Sequence, residues 1–395
     1  MDILKGLSLA VENVALLATL PGTFEILLVT SGAVRRKRGN TSCDPFSCRL
    51  AVVIPAHNEA ALIARCVASV AASTPSAGQR EIVVVADNCV DETAALASEA
   101  GARVLVRRHL TQRGKGYALR MAFEQLQAEG FDAFLVIDAD SVVSPNLVWE
   151  VVERLNAGAP AVQCRYRVLN QDASIRTRLM EVAFLAFNVV RPKGRCGWGL
   201  SAGIVGNGFA LRGETLQRVP YHAASIVEDL EYHLRLVAAD EPTDFIDNAT
   251  VYGEMPAGGE AARAQRSRWE GGRLRMSKEW TPRLAAGVAR GQWRLAEPLL
   301  DLLTLPLTYQ VLLLSLLAVL PGALRPYGII ALGIIAAHVL LAAILGGRPG
   351  KTLLALAAAP FYVVWKITTL DKVFSASRDD ANWVRTGRDV ESRAR

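Results

Sequence analysis

The sequence predicts an α/β domain with a mainly parallel sheet, set between N- and C-terminal transmembrane helices. Three observations carry that expectation. From residue 50 onward, short β-branched runs alternate with helical stretches, a pattern that puts helices on both faces of a parallel sheet. Apolar stretches lie at both ends of the chain, at 7–30 and beyond 298, near the roughly 20 residues a bilayer crossing requires. The polar loops between them follow the carboxyl ends of strands, so they converge on the edge where open α/β sheets bind ligands.

The bulk properties agree. The chain has 395 residues, 51% hydrophobic content and a net charge of +6, room for one large domain plus membrane segments. Arg35, Arg36, Lys37 and Arg38 directly follow the first apolar stretch. Basic residues beside a span mark its cytoplasmic side, so the charge reads as topology and not as nucleic-acid binding. The six cysteines form no C-x-x-C pair, which suits reduced thiols in a cytosol better than zinc or a disulfide framework.

Taken in order, residues 1–34 read as a membrane anchor. Glu12, Pro21, Gly22 and Glu25 interrupt it, and the alternative is an interfacial helix. No small-residue cleavage site follows the apolar core, so a removable signal peptide is not expected. A polar linker fills 35–49. Strands are expected at 50–54, 81–86, 103–106 and 134–137, with helices to about 73 and over 91–100 and 117–129. A further strand covers 161–167. The stretch 172–193 is apolar on one side and reads as a helix on a membrane surface. A Gly/Ser-rich loop at 197–209 lies near the acceptor, and helices cover 228–239 and 263–275. The catalytic domain thus spans 50–280, with an interfacial segment at 281–297. Apolar stretches at 298–320, 327–345 and 352–370 form a membrane region over 298–374. Asp301 and Pro306 weaken the first, and Pro360 and Lys366 the last. A polar tail occupies 375–395.

Chemistry concentrates at the strand ends. Asp138 and Asp140 close the strand 134–137, where two carboxylates are tolerable around a divalent cation facing an anion. The alternative is a solvated loop. Asp87 ends another strand, with Glu59 in the loop after the first. Arg113-Gly114-Lys115-Gly116 opens a helix, whose N-terminus and lysine favour a phosphate. It is neither a dinucleotide fingerprint nor a P-loop. Glu228 and Asp229 start a helix, either as dipole partners or with one as a general base. Gln265, Arg268 and Trp269 share a helical face, suited to a diphosphate and a sugar ring, or to simple packing.

The ordered motifs "VVIPAHNE", "ADNCVDET", "RGKGYAL", "LVIDAD", "VEDLEYHLRL" and "QRSRW" resemble the membrane-embedded family 2 glycosyltransferases, a GT-A fold shared by bacterial cellulose, hyaluronan and poly-N-acetylglucosamine synthases. The resemblance runs from about residue 50 to the C-terminus. It implies that Asp87 and Glu59 meet the nucleoside of the donor, with Lys115 and Asp138 lining the nucleotide pocket. Asp140, with Asp138, would hold Mg²⁺ or Mn²⁺ on the diphosphate. Asp229 would be the general base. Gln265, Arg268 and Trp269 would bind diphosphate and acceptor sugar. Trp383, Thr386 and Arg388, in "WVRTGR", are similar to a gating loop over the donor. Val227 stands where many relatives have Thr.

The expected function is inverting transfer from a nucleoside diphosphate sugar, a UDP-sugar first, to a growing polysaccharide at the bacterial inner membrane. The partners would be membrane lipid and export-complex subunits, with no nucleic acid. The alternative is addition of one sugar to a lipid-linked acceptor. A third reading is a non-catalytic nucleotide-sugar binder. The tail belongs on the cytosolic side if 352–370 is re-entrant, or if 298–320 fails to cross.

Overall fold

The computed structural model describes residues 2–35, 48–74, 80–223, 225–256 and 259–360. A long helix α1 (Asp2–Ala33) precedes β1 (Leu50–Ala56), α2 (Ile63–Ala71), β2 (Arg80–Asp87), α3 (Thr93–Glu99) and β3 (Arg103–Arg107). Then come α4 (Lys115–Ala128), β4 (Ala133–Val136), β5 (Ser141–Val143), α5 (Leu147–Asn156) and β6 (Ala161–Val168). Next are α6 (Ile175–Leu185), a π-helical turn (Ala186–Val190), α7 (Arg191–Gly197), β7 (Phe209–Arg212) and α8 (Gly213–Arg218). The remainder comprises α9 (Glu228–Ala238), β8 (Thr243–Gly253), α10 (Gly259–Ala289), α11 (Ala296–Leu303), α12 (Leu307–Val319), α13 (Arg325–Leu345) and α14 (Pro349–Ala355).

The eight strands form one sheet in the order β3-β2-β1-β4-β7-β6-β8-β5. Strands β1 to β4 pair in parallel, and β6 pairs in parallel with β8. Contacts of β7 with β4 and β6, and of β5 with β8, are antiparallel, so the sheet is mixed. β1 lies between two parallel neighbours and is buried on both faces, which is why it reads as a continuous apolar run. Leu50, Val52 and Ile54 face a core with α2 and α5 residues such as Val67 and Val151. Ala51 and Val53 face the opposite core, with Leu119 and Phe123 of α4. Val53 is level with Val83 on one side and Val136 on the other. The chain leaves β1 for β2 and β3, then returns to β4 on the far side of β1. That reversal opens a crevice beyond the carboxyl ends of β1 and β4.

Two described helices are long and apolar enough to cross a membrane, Leu9–Ala33 within α1 and Arg325–Leu345. The expected segment at 298–320 is not one straight helix. It breaks at Pro306, and the pair Trp293–Leu303 and Leu307–Val319 bends by 77°. Counted as one span, it brings the number to three. Thr19 and Thr23 bond Tyr327 at 3.0 and 3.1 Å, and Thr30 bonds His338 at 2.8 Å. α1 and α13 therefore run in the same direction. Gly22 lies against Gln310 at the start of α12, and Gly322 beyond its end lies against Glu12, so α12 runs the opposite way. After α13 the chain returns to the sheet domain, where Arg167 donates to Gly346 O at 3.2 Å and Arg348 pairs with Asp172 at 3.3 Å.

The expected surface helix at 172–193 is instead a wedge between the sheet and the apolar helices α1 and α13. Ser174 and Thr177 form a reciprocal capping box at its start, a device worth about 1 kcal/mol. Glu181 accepts from Val168 N at 2.9 Å and pairs with Arg167 at 2.6 Å. Val189 and Val190 are fully buried, and Gly194 and Gly197 bring α7 against the α1 backbone at Val29 and Gly32. α10 continues past the expected boundary at 280, with Pro282 inside it. The basic residues 36–38, the part of the expected stretch 352–370 beyond residue 360, and the tail with Trp383, Thr386 and Arg388 lie outside the described residues.

Candidate active site

The loops after β1 and β2 interlock at the crevice. Asn58 and Asn88 adopt φ of 54° and 52°, a left-handed conformation that asparagine tolerates better than most residues. Asn58 Oδ1 accepts from Val90 N at 2.8 Å, and Asn88 Oδ1 from His109 N at 2.9 Å. His57 Nδ1 lies 2.7 Å from Asp87 O. The Asp87 carboxylate is buried and accepts from Arg107 at 2.6 Å and from Asn88 at 3.0 Å through the same Oδ1. Glu59 begins the turn into α2. Its N–H donates to Thr93 Oγ1 at 2.8 Å, and its carbonyl accepts from Leu62 and Ile63.

Lys115 is the centre of the arrangement. Gly114, at φ 118°, turns the chain into α4. From its first turn Lys115 Nζ donates to Asp138 Oδ1 and to Gly206 O. Asp138 N donates to Asn207 Oδ1 at 3.1 Å, so the loop after β4 is tied to the glycine-rich segment before β7. Asp140 is buried, with Ser141 Oγ donating to its Oδ1 at 3.3 Å. Below that loop, the thiol of Cys66 donates to Asp138 O at 3.4 Å.

Asp229 and Glu228 face the same lysine. Asp229 Oδ1 accepts from Leu230 N at 2.8 Å. A Cβ at Gly206, whose φ is +80°, would stand 2.9 Å from Asp229 Oδ2, so only glycine gives the carboxylate this room. Burial raises the Asp229 carboxyl, against the Leu230 N–H and Lys115, which hold it down. Burial and Asp229 push Glu228 up to about 7. Burial works against the Lys115 ammonium, but Asp138, Glu228 and Asp229 outweigh it and raise it above its ordinary value. One cation thus holds three carboxylates together.

α10 supplies the opposite wall. Gln265 is buried, and Arg268 and Trp269 are half-buried. Trp269 packs 6.2 Å from Phe184, centroid to centroid, within a cluster containing Tyr166, Met180, Met255 and Val205. Gly272 abuts Val227, the residue before Glu228, and its Cβ would meet Val227 Cγ1 at 2.6 Å. Helix α10 and the start of α9 are therefore in direct contact. Among the described residues no cluster of three or more His, Cys, Asp or Glu could hold a metal.

A profile described as "Glycosyltransferase like family 2" matches residues 48–272. The chain belongs to that family. As a family 2 glycosyltransferase it is 26% identical over 233 residues to a probable glycosyltransferase of Bacillus subtilis, covering 57% of this chain and 55% of the relative. It is 29% identical over 159 residues to a hyaluronan synthase of Streptococcus pyogenes, covering 38% and 37%. It is 26% identical over 241 residues to a β-monoglucosyldiacylglycerol synthase of Nostoc, covering 58% and 50%. The matches span about half or less of those relatives' lengths. A mannosyltransferase from Pyrobaculum calidifontis, solved with GDP-mannose and Mn²⁺, aligns at a TM-score of 0.54 and 18% identity, covering 90% of this chain and 99% of that one. That likeness establishes the GT-A type fold.

Within this glycosyltransferase the structure draws Lys115, Asp138 and the Glu228–Asp229 pair into one cluster, with Asp140 on the same loop. Asp87 and Glu59 sit on the neighbouring loops. Gln265, Arg268 and Trp269 stand on α10. Sequence reasoning missed Arg107, Gly206 and Asn207. Arg107 pairs with Asp87 because β2 and β3 are in register there, and only that pairing reveals it.

Proposed function

We propose that the chain catalyses inverting transfer of a sugar from a nucleoside diphosphate sugar, UDP-linked first, to an acceptor at a membrane. The observation that carries this is the carboxylate cluster around Lys115, with Asp229 ending on the open side of Gly206. Asp229 takes the proton of the acceptor hydroxyl. The acceptor oxygen then attacks the anomeric carbon as the bond to the diphosphate oxygen breaks, and single displacement inverts that carbon. Burial raises this carboxyl above its ordinary value and so makes it a stronger base than a solvated carboxylate. Asp87 and Glu59 meet the nucleoside, and Lys115 keeps Asp138 in place beside the nucleotide. Gln265, Arg268 and Trp269 bind diphosphate and acceptor.

The donor set fits Mg²⁺ or Mn²⁺. Such ions reach the protein through one or two carboxylates and take their remaining ligands from substrate phosphates. Asp140 is the principal ligand, because Lys115 already occupies one oxygen of Asp138. Bound there, the ion would neutralise charge developing on the leaving diphosphate. The Mn²⁺ named with the mannosyltransferase structure is in keeping with this choice.

The first reading of the acceptor is a growing polysaccharide, with the catalytic domain (50–280) cytoplasmic and export-complex subunits as partners. One observation favours the second reading, a single sugar added to a lipid-linked acceptor. α1, α12 and α13 pack solidly on one another through Ala15, Ile26, Leu314, Leu317, Ala331 and Ile335. A Cβ on Gly328 would stand 2.8 Å from Ala318 N, so among the described residues α12 and α13 meet backbone to backbone. The experiment is to incubate the full chain in lipid with radiolabelled UDP-glucose, UDP-N-acetylglucosamine and GDP-mannose. Transfer from one donor supports the reading, and no transfer from any sinks it. Product length on a gel separates polymer from single addition.

A further inference from the structure

Six ionised side chains meet where α1, α7, α10 and α11 converge, away from the carboxylates around Lys115. Glu25 of α1 accepts from Arg191 and, at 3.3 Å, from Arg195. Arg191 also reaches Asp301 of α11. Arg195 pairs with Glu297 at 2.5 Å and with Asp301 at 3.3 Å. Arg273 of α10 donates to Asp301 Oδ1 at 2.8 Å and also to its carbonyl oxygen. Thr304 donates to Glu25 Oε2 at 2.8 Å. Three acids balance three arginines, and Glu25 is only 1% exposed. Apolar packing joins helices at least as strongly as buried ions do, so a charge network adds geometry more than strength.

The network touches the site by three routes. Arg195 donates to Ala202 O at 3.3 Å, at the start of the glycine-rich segment that reaches Asp229 at Gly206. His233 lies four residues after Asp229 on α9, buried, with Nδ1 unpartnered. Burial, with Arg195 beside it, holds the imidazole down at about 3, so it stays neutral. Arg273 follows Gly272, which rests on Val227 next to the base.

We infer that this network is a joint fixing the α9 start and α10 to the membrane anchor α1, and that Arg273 is a positioning residue for transfer. The inference rests on Asp229 being the base and α10 bearing the diphosphate and acceptor contacts. Displacing reacting groups by a fraction of an ångström lowers turnover with little change in ground-state binding.

The test uses the full chain in lipid nanodiscs, with whichever donor of the same radiolabelled panel the wild type consumes. Arg273→Met, Arg273→Lys and Arg275→Met are compared; Arg275 pairs with Glu279, one turn along the same helix, at 2.9 Å. Arg273→Met is expected to lower kcat about tenfold or more. Its donor KM, its affinity for UDP or GDP in Mn²⁺ buffer and its melting temperature should stay near wild type. Arg273→Lys should restore most of the rate, and Arg275→Met should leave it unchanged. Unchanged kcat in Arg273→Met overturns the inference. So does a loss matched by equal losses in melting temperature and nucleotide affinity, or one that lysine does not relieve. Where the methionine variant does not fold, Arg273→Gln is measured in the same way; if that also fails to fold, the network serves stability alone and the inference falls. Asp229→Asn is run in parallel. Its retaining full rate would remove the base assignment while leaving the Arg273 split to be read by itself.

Discussion

Lys115 is the cation facing Asp138, Glu228 and Asp229, and it holds the carboxyls of Glu228 and Asp229 down against the burial that raises them. Asp229→Asn should leave nucleotide binding nearly intact and lower kcat by roughly 10²-fold or more, the usual scale for losing a positioned base. Loss of donor affinity with surviving turnover would make Asp229 a binding residue. The pH dependence follows from the same cluster. A base with a raised carboxyl is protonated and idle on the acid side, so kcat should fall as pH drops, on a limb above the ordinary carboxylate range because burial raises Asp229 and its neighbour Glu228. Lys115→Met removes the charge that holds these carboxyls down, so the acid limb of the profile should move to higher pH. A limb that stays put or moves down would show that Lys115 does not set it. For Asp140, Asp140→Asn and excess chelator should each abolish transfer, and added Mg²⁺ or Mn²⁺ should rescue only the chelated wild type. At this scale the acids and Lys115 were legible because they follow strand ends or open a helix. Arg107 and Asn207 were not, since their partners are fixed by strand register and by a loop that returns from another part of the chain.

Among the elements, the segment before β7 matters out of proportion to its length. Gly206 accepts the Lys115 bond and leaves room for Asp229. Gly206→Ala would put a Cβ 2.9 Å from the Asp229 carboxylate at a φ of +80°, and a left-handed alanine alone costs about 1 kcal/mol. The expected outcome is a modest drop in melting temperature and a larger fall in kcat. Unchanged kcat at a lowered melting temperature would show that the contact is structural only. The alternation of strands and helices from β1 to β4 was readable because those strands are apolar on both faces. β8 was not, since Asp244, Asp247 and Asn248 are residues that strands disfavour, and the β6–β8 register shifts between Cys164 and Arg165. β5 and β7 are too short to show a period. α10 outruns its expected length at both ends, because its packing on α11 overrides the proline at 282.

Across the whole molecule, the apolar ends were legible but their polar residues were misread. Glu25 and Asp301 looked like flaws in spans, and they are instead partners of arginines far away in sequence. The shared direction of α1 and α13 returns the chain to the sheet domain at Gly346. We expect the tail to lie on that same, cytosolic, side. A cysteine placed by Ser392→Cys, in a chain cleared of its six native cysteines, should resist an impermeant thiol reagent in intact cells and react after permeabilisation. Labelling of intact cells would put the tail outside. The same geometry bears on how the protein is made. Glu25 meets Arg191 across a separation of 166 residues, and Thr30 meets His338 across 308. Helix α1 must therefore wait, carrying a carboxylate without its arginines and hydroxyls bonded only to its own backbone, until α7 and then α13 have been translated. An isolated polar helix is a substrate for insertion chaperones and membrane proteases, so the interval between synthesis of α1 and of α13 is when the nascent chain is most exposed to quality control.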